Sequence, residues 1–421
     1  MKSHGHQKAG SRHDEGQVLV MFALFVVVLI PFVGLGVDCG FAYISKARLS
    51  KAVDAACLAG MANYRQGNEA FAQNMAISTF KANYGTPGRD AAPVDPTVTL
   101  STDDSGNKYV QVSATATINT FFIRVLPGWQ TLTVGATAQA TRANLIMTVV
   151  LDSSDSMDPT QPLGGAYTQG GKYLPDAVTQ FINVFDDNAD KAAVVSFAST
   201  ATNDLLMSQP FKAKVKTAVN NLIWAGGTFA HGGLTNAFAI ENANDPPAGQ
   251  NAVKVVVFFT DGQANMVQNT FCSPARVYNF GGGTATAHFW TNNTLVTDST
   301  YQNGQCLGNP CACTSVTQFP SIDGSMETFS LSHILYDATN RCIQVANSMR
   351  ANGMYVYAVG LDVGNISPVT IDFLQQVAND PDSPTFDANL PVGIAMVATS
   401  GSDLTPVFQQ IASDILLRLL K

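Results

Sequence analysis

The hydrophobic pattern changes period repeatedly along this chain. Residues 18–37 carry no charge, and about 20 apolar residues are what a helix needs to cross the hydrocarbon core of a bilayer. A cleaved signal peptide has a shorter apolar region and a small-residue cleavage site. A lipoprotein would place a small residue, not Asp38, before Cys39. An uncleaved anchor fits the run. Beyond it, Leu49, Val53 and Cys57 recur at i, i+4 and i+8, one face of a helix. Ala52, Ala55, Ala56, Ala59 and Gly60 open that helix to close packing, either in an association through the anchor helix or folded back on its own domain.

Between residues 94 and 142 the period drops to two. Segments 97–101, 109–116 and 131–138 alternate, and Asp103–Asn107 supplies a turn between the first two. This predicts a small antiparallel module beside the extended helix, over 38–142. From 144 to 421 buried strands alternate with helical periods. Strands are expected at 145–151, 192–198, 253–260, 354–361 and near 393–399, with a short antiparallel edge near 203–208. Helices are expected at 174–187, 211–223, 230–243, 332–351, 367–379 and 404–420. Such alternation predicts an α/β fold, a doubly wound and mostly parallel sheet with crossover helices. The stretch 263–330, rich in Asn, Thr, Gly and Ser, breaks the rhythm. It reads as a long loop-like insertion that shapes or covers a ligand surface, with a disordered surface insertion as the alternative.

Composition narrows the function classes. Charged residues make up 13%, apolar residues 46% and the net charge is −8, so the chain is not disordered and has no basic face for nucleic acid. Cys272, Cys306, Cys311, Cys313 and Cys342 cluster in or just after the insertion. In an oxidising compartment they are expected to form disulfides. The spacing Cys306…Cys311-Ala312-Cys313 lacks the paired CxxC of a zinc knuckle. His4 and His6 read as solvated tail residues, and His231 as a helix-surface residue.

Three segments carry candidate chemistry. An apolar run ending at Leu151 stops on Asp152, Ser154 and Ser156. A glycine loop brings Thr228 after Gly226 and Gly227, and a second apolar run, 255–260, ends on Asp261. The carboxyl ends of strands in open α/β sheets are where ligands bind. Carboxylates and hydroxyls are hard oxygen donors, suited to Mg²⁺, Mn²⁺ or Ca²⁺. The plain alternative is a polar strand-to-helix turn with Ser and Asp as caps.

In order and spacing these segments resemble the metal-ion-dependent adhesion site of von Willebrand factor A (vWA) domains. The resemblance implies that Ser154, Ser156 and Thr228 touch the metal directly, while Asp152 and Asp261 hold it mainly through water. It also implies an open metal position that takes an acidic residue from a partner protein.

A second resemblance lies in residues 16–62: Gly16, the apolar span, Val37-Asp38, Leu49, Val53-Asp54-Ala55-Ala56 and Leu58-Ala59-Gly60. These are similar to the N-terminal segment of Tad/Flp-type pilus assembly proteins of the TadG kind, which often end in a vWA domain. Cleaved pseudopilins of that system carry Glu five residues after the cut glycine, where this chain has Met21.

Together these readings imply a single-pass protein of the bacterial inner membrane. Residues 1–17 would be a cytoplasmic tail, 18–37 the span, and 144–421 a vWA domain in the periplasm or envelope, with a surface or secreted form as the other location. Lys2, Lys8 and Arg12 precede the span and Lys46, Arg48 and Lys51 follow it, so positive charge discriminates little and the short tail decides the orientation. The implied function is pilus assembly or adhesion through a metal-held partner, a pilus or secretion-system component. A structural scaffold with a metal-free vWA domain is the alternative. An enzyme is not expected: Ser154 stands where an Asp-x-Asp phosphohydrolase needs its second carboxylate.

Overall fold

The computed structural model describes residues 14–65, 67–85, 94–165, 167–269, 276–281, 286–291, 294–296, 301–302, 305–306, 318–328, 331–363 and 370–420. The chain forms two compact units, one of residues 1–103 and 108–141, the other of 104–107 and 142–421.

The first unit begins with α1 (Asp14–Asn63) and continues through α2 (Glu69–Tyr84), β1 (Thr97–Thr102), β2 (Lys108–Asn119) and β3 (Thr131–Arg142). At about 1.5 Å per residue α1 is roughly 75 Å long. Its first part, from Val18, is long and apolar enough to cross a membrane and is almost wholly exposed. Its second part buries Leu49, Ala52, Val53, Ala56, Cys57 and Met61. This is the face expected from the sequence, and it is used within the unit. It packs against Ala72, Ala76, Phe80 and Tyr84 of α2 and against β2. The Cys57 thiol donates to the Val110 carbonyl at 2.9 Å, and burial raises its pKa. Helix α2 was not anticipated, although 72, 76, 80 and 84 recur every fourth residue, an apolar helical stripe. β1, β2 and β3 form an antiparallel sheet in that order. Val110, Val112, Ala114, Ala116 and Ile118 alternate onto the buried face of β2.

The second unit is built on β4 (Asn144–Asp152), α3 (Leu174–Asn183), β5 (Lys191–Phe197), β6 (Ala201–Ser208), α4 (Lys212–Asn220), α5 (Ala230–Asn242) and β7 (Ala252–Thr260). After the insertion come α6 (Leu331–Ala351), β8 (Tyr355–Leu361), α7 (Ile371–Ala378), β9 (Ala395–Ala398) and α8 (Leu404–Leu419). The six-stranded sheet runs β9-β8-β7-β4-β5-β6. Only the β5–β6 pair is antiparallel; the other neighbours are parallel. Strands covered on both faces read as continuous apolar runs. Met147, Val149 and Leu151 of β4 and Val257 and Phe259 of β7 share one core with α3, α4 and α8. Val150, Val256 and Phe258 face the opposite core with α5, α6 and α7. The order places β4, which ends on Asp152, and β7, which ends one residue before Asp261, side by side at the centre.

The insertion departs from its loop-like reading. Met266–Asn269, Arg276–Gly281, Thr286–Thr291 and Thr294–Val296 pair as an antiparallel four-stranded sheet. Short apolar runs such as Val277-Tyr278-Asn279-Phe280, followed by Gly281-Gly282-Gly283, supply strand and turn signals that overall polarity conceals. The expected disulfides have no support among the described residues: Cys39, Cys57 and Cys342 are free thiols. Burial raises the Cys342 thiol far above its usual range. Cys272, Cys311 and Cys313, with His4 and His6, lie outside the described residues, as does the side chain of Cys306.

Candidate metal-binding site

β4 carries Asp152 to the carboxyl edge of the sheet, where it pairs in register with Phe197 of β5. The Ser153 amide then bonds the Phe197 carbonyl at 2.8 Å, and the chain turns. Asp152 Oδ1 accepts from the Ser154 amide at 2.8 Å, and Oδ2 accepts from Thr260 Oγ1 at 2.6 Å. Both oxygens are therefore aimed by the neighbouring backbone and by the end of β7.

The next hydroxyls reach the second acid. Ser154 Oγ and Ser156 Oγ lie 2.9 Å apart, and Ser156 Oγ donates to Asp261 Oδ1 at 2.8 Å. Thr168 Oγ1 donates to the other Asp261 oxygen. Asp152, Ser154, Thr168, Thr260 and Asp261 are all buried.

The glycine loop is laced to the same turn. The Asp155 amide bonds the Gly226 carbonyl at 3.1 Å, and the Ala225 amide bonds the Ser153 carbonyl at 3.0 Å. Gly226 sits at φ +90°, and a Cβ there would meet Ser199 Oγ at 2.3 Å; only glycine combines that conformation with that approach. Thr228 is buried, its amide donating to Asn265 Oδ1 at 2.7 Å. A Cβ placed on Gly262 would lie 3.9 Å from Thr228 Oγ1, so this hydroxyl stands beside the Asp261-Gly262 turn.

All five residues singled out in the sequence thus lie on three adjoining segments at the carboxyl edge of the sheet. Asp152, Ser154, Ser156 and Asp261 share one hydrogen-bonded network, and Thr228 stands at its border. Thr168 and Thr260 were missed. Thr260 ends an apolar run immediately before Asp261 and was legible as a strand-end hydroxyl. Thr168 lies in an irregular loop with no local signal. His231 corrects its reading as a surface residue: it is buried at the start of α5, its ring edge-on to Phe229 with centroids 4.5 Å apart. Burial first, and then Arg341, lowers its pKa to about 3, so it is neutral at physiological pH.

The electrostatics of the two acids are linked. Burial pushes the pKa of Asp152 upward, partly offset by the Ser154 and Thr260 hydrogen bonds. Burial also raises that of Asp261, and the Asp152 charge raises it further. Such a pair costs free energy to ionise without a compensating cation, which reverses the sign of the problem. The donor set fits a hard divalent ion. No group of three His, Cys, Asp or Glu suited to a metal occurs among the described residues, so any ion here must draw on the hydroxyls as well as the two acids.

Comparison with known proteins agrees with this architecture. Residues 147–282 match the family model of the von Willebrand factor type A domain, and residues 16–63 match that of the putative Flp pilus-assembly TadE/G-like proteins. The mostly parallel sheet and this match define a vWA domain in the second unit. A segment that matches the TadE/G-like pilus-assembly model precedes that domain. No curated protein matches the sequence. Among solved structures it is similar to the PilB minor pilin from Streptococcus sanguinis, at 15% identity over 80% of this chain and 81% of that one, with a TM-score of 0.44. The vWF domain of the type V pili tip protein Mfa5 from Porphyromonas gingivalis aligns at 14% identity over 66% and 97%, with a TM-score of 0.41. The pilus adhesin SpaC from Lactobacillus rhamnosus GG aligns at 15% identity and a TM-score of 0.42, over 80% of this chain but only 36% of that longer one.

Proposed function

We propose that this chain is a membrane-anchored pilus assembly or adhesion protein whose vWA domain captures a protein partner through a divalent cation. Asp152, Ser154, Ser156, Thr228 and Asp261 would hold the ion, Mg²⁺ or else Mn²⁺ or Ca²⁺. The observation that carries this reading is the convergence of two buried acids with Ser154 and Ser156 in one network at the carboxyl edge of the sheet.

Each residue has a definable part. Ser154, Ser156 and Thr228 are neutral donors and leave the positive charge of an ion undiminished. Asp152 and Asp261 supply counter-charge from buried positions, where Thr260, Ser156 and Thr168 orient them. When bound, the cation supplies a Lewis-acidic position for an acidic side chain of a pilus or secretion-system component. α1 would anchor the chain in the inner membrane with residues 1–17 inside and the vWA domain in the periplasm or envelope.

One observation favours a second reading, a scaffold that works without metal. The same hydroxyls and carboxylates satisfy one another by hydrogen bonds.

Calorimetric titration of Mg²⁺ and then Mn²⁺ into the full chain in detergent separates the two. Saturable binding by the wild type, lost in folded Asp152→Ala and Thr228→Ala variants, supports metal-dependent capture. A folded wild type that takes up neither ion leaves the scaffold.

A further inference from the structure

The loop between β2 and β3 carries apolar side chains that its own unit does not cover. Phe121 is 61% exposed, Val125 83%, Leu126 54% and Trp129 49%. Such a cluster on a short loop is unusual for a surface in water. The loop lies directly against α1. A Cβ on Gly34 would meet Phe122 Cβ at 2.4 Å, so glycine at that helical position admits the aromatic ring. Val27, Ile30, Pro31 and Leu35 of α1 face Phe122 and Val125 across an apolar groove of about 550 Å³.

Depth identifies what fills this groove. Its α1 wall reaches back from Leu35 to Val27, roughly 12 Å along the axis at about 1.5 Å per residue. Those residues lie inside the uncharged run 18–37. If α1 spans the bilayer, the groove lies at hydrocarbon level, and the loop enters that level beside the helix.

The backbone is prepared for such a setting, where each unsatisfied polar group costs several kcal/mol. Asp38, buried on α1, accepts from the Phe121 amide at 2.8 Å and from the Phe122 and Ile123 amides at 2.9 Å. The Thr120 amide bonds the Gln130 carbonyl at 3.1 Å, and the Thr120 hydroxyl bonds the Trp129 carbonyl at 2.6 Å. The Leu126 and Trp129 amides are bonded within the loop. Arg124 is exposed on the same turn. Its long side chain can reach lipid phosphates from an apolar position, and Trp129 suits the interfacial belt.

We propose that residues 121–126 form a second membrane-embedded element, re-entering the leaflet on the side of the C-terminal domain, with lipid acyl chains filling the groove against α1. Asp38 clamps this loop to the helix, so the small module is held on the membrane surface at two points. The proposal rests on the reading of α1 as a membrane span.

The test places a photo-crosslinking amino acid, p-benzoylphenylalanine, singly at Val125, Phe25 and Ile223 of the full chain. Each variant is reconstituted in phosphatidylethanolamine–phosphatidylglycerol vesicles, with circular dichroism confirming its fold. Mass spectrometry after illumination reads covalent phospholipid adducts. Phe25 lies within the span and Ile223 is an exposed residue of the vWA domain. Lipid adducts at Val125 and Phe25, each about tenfold above Ile223, are expected from their difference in exposure to lipid. Adducts at Phe25 without adducts at Val125, or crosslinks from Val125 to a second copy of the chain, overturn the loop proposal alone. No adduct at Phe25 overturns the membrane span and the proposal with it.

Discussion

Thr260 Oγ1 donates a 2.6 Å hydrogen bond to Asp152 Oδ2 across 108 residues of sequence. It joins the ends of β4 and β7, the two central strands that terminate at the site. Replacing Thr260 by Val keeps the branched shape and removes the donor. A buried acceptor that loses its partner costs about 1–3 kcal/mol. Thr260→Val is expected to lower the urea midpoint accordingly and to weaken Mg²⁺ uptake. Unchanged values for both would show that Thr260 does not orient the carboxylate.

If the site holds Mg²⁺, the ion binds the folded chain and stabilises it by mass action. At a free concentration about 100 times the dissociation constant this amounts to roughly 2.7 kcal/mol. Thermal unfolding in Mg²⁺ should therefore occur at a higher temperature than in chelator for the wild type. The two curves should coincide for Asp152→Ala. A Mg²⁺ shift that persists in that variant would place the ion elsewhere.

Glu241 of α5 is buried in the sheet–helix core, where Oε1 accepts from Thr148 Oγ1 at 2.7 Å and Oε2 has no hydrogen-bond partner among the described residues. Burial raises its pKa from 4.5 to about 8, with Thr148 and Lys254 opposing the shift. The folded state thus holds this proton more tightly than the unfolded state. Its stabilising contribution is complete below the unfolded value of 4.5 and is lost as pH rises toward about 8. Glu241→Gln should flatten the fall in denaturation midpoint between roughly pH 5 and 8. An equally steep fall in the variant would assign the titration to another group.

Arg142 holds Asp190 through two hydrogen bonds, 2.9 and 2.6 Å, with both side chains buried. Asp190 also accepts from the Leu145 amide at 2.9 Å and the Asp186 amide at 2.7 Å. Asp190→Ala strands a buried guanidinium and two amides, and breaking a buried pair from one side costs about 3–5 kcal/mol. Chemical denaturation of the variant should show that loss. A change below about 1 kcal/mol, the scale of exposed pairs, would mean that water reaches Arg142.

Much of this architecture is legible in the local sequence. Residues 18–37, the alternating runs of the first unit and the apolar strands ending at Asp152 and Asp261 carry local periods of hydrophobicity, which neighbouring residues alone determine. The strands at 145–151 and 253–260 correspond to β4 and β7, and the expected edge near 203–208 lies within β6. The hydroxyl–acid motif stood out because strand ends gather ligands in open α/β sheets.

Other features depend on partners distant in sequence. Thr168 reaches Asp261 across 93 residues and Asp38 caps the Phe121 amide across 83; neither has a local pattern that announces it. His231 reads as a helix-surface residue, yet it is buried with its ring edge-on to Phe229. The sequence by itself determined the membrane-length helix, the alternating α/β elements and the residue types at the strand ends, because these follow from local periodicity and side-chain chemistry. Only the tertiary structure decided which acid each hydroxyl orients and which loop lies against α1, because sheet order and close packing bring those groups within hydrogen-bonding distance.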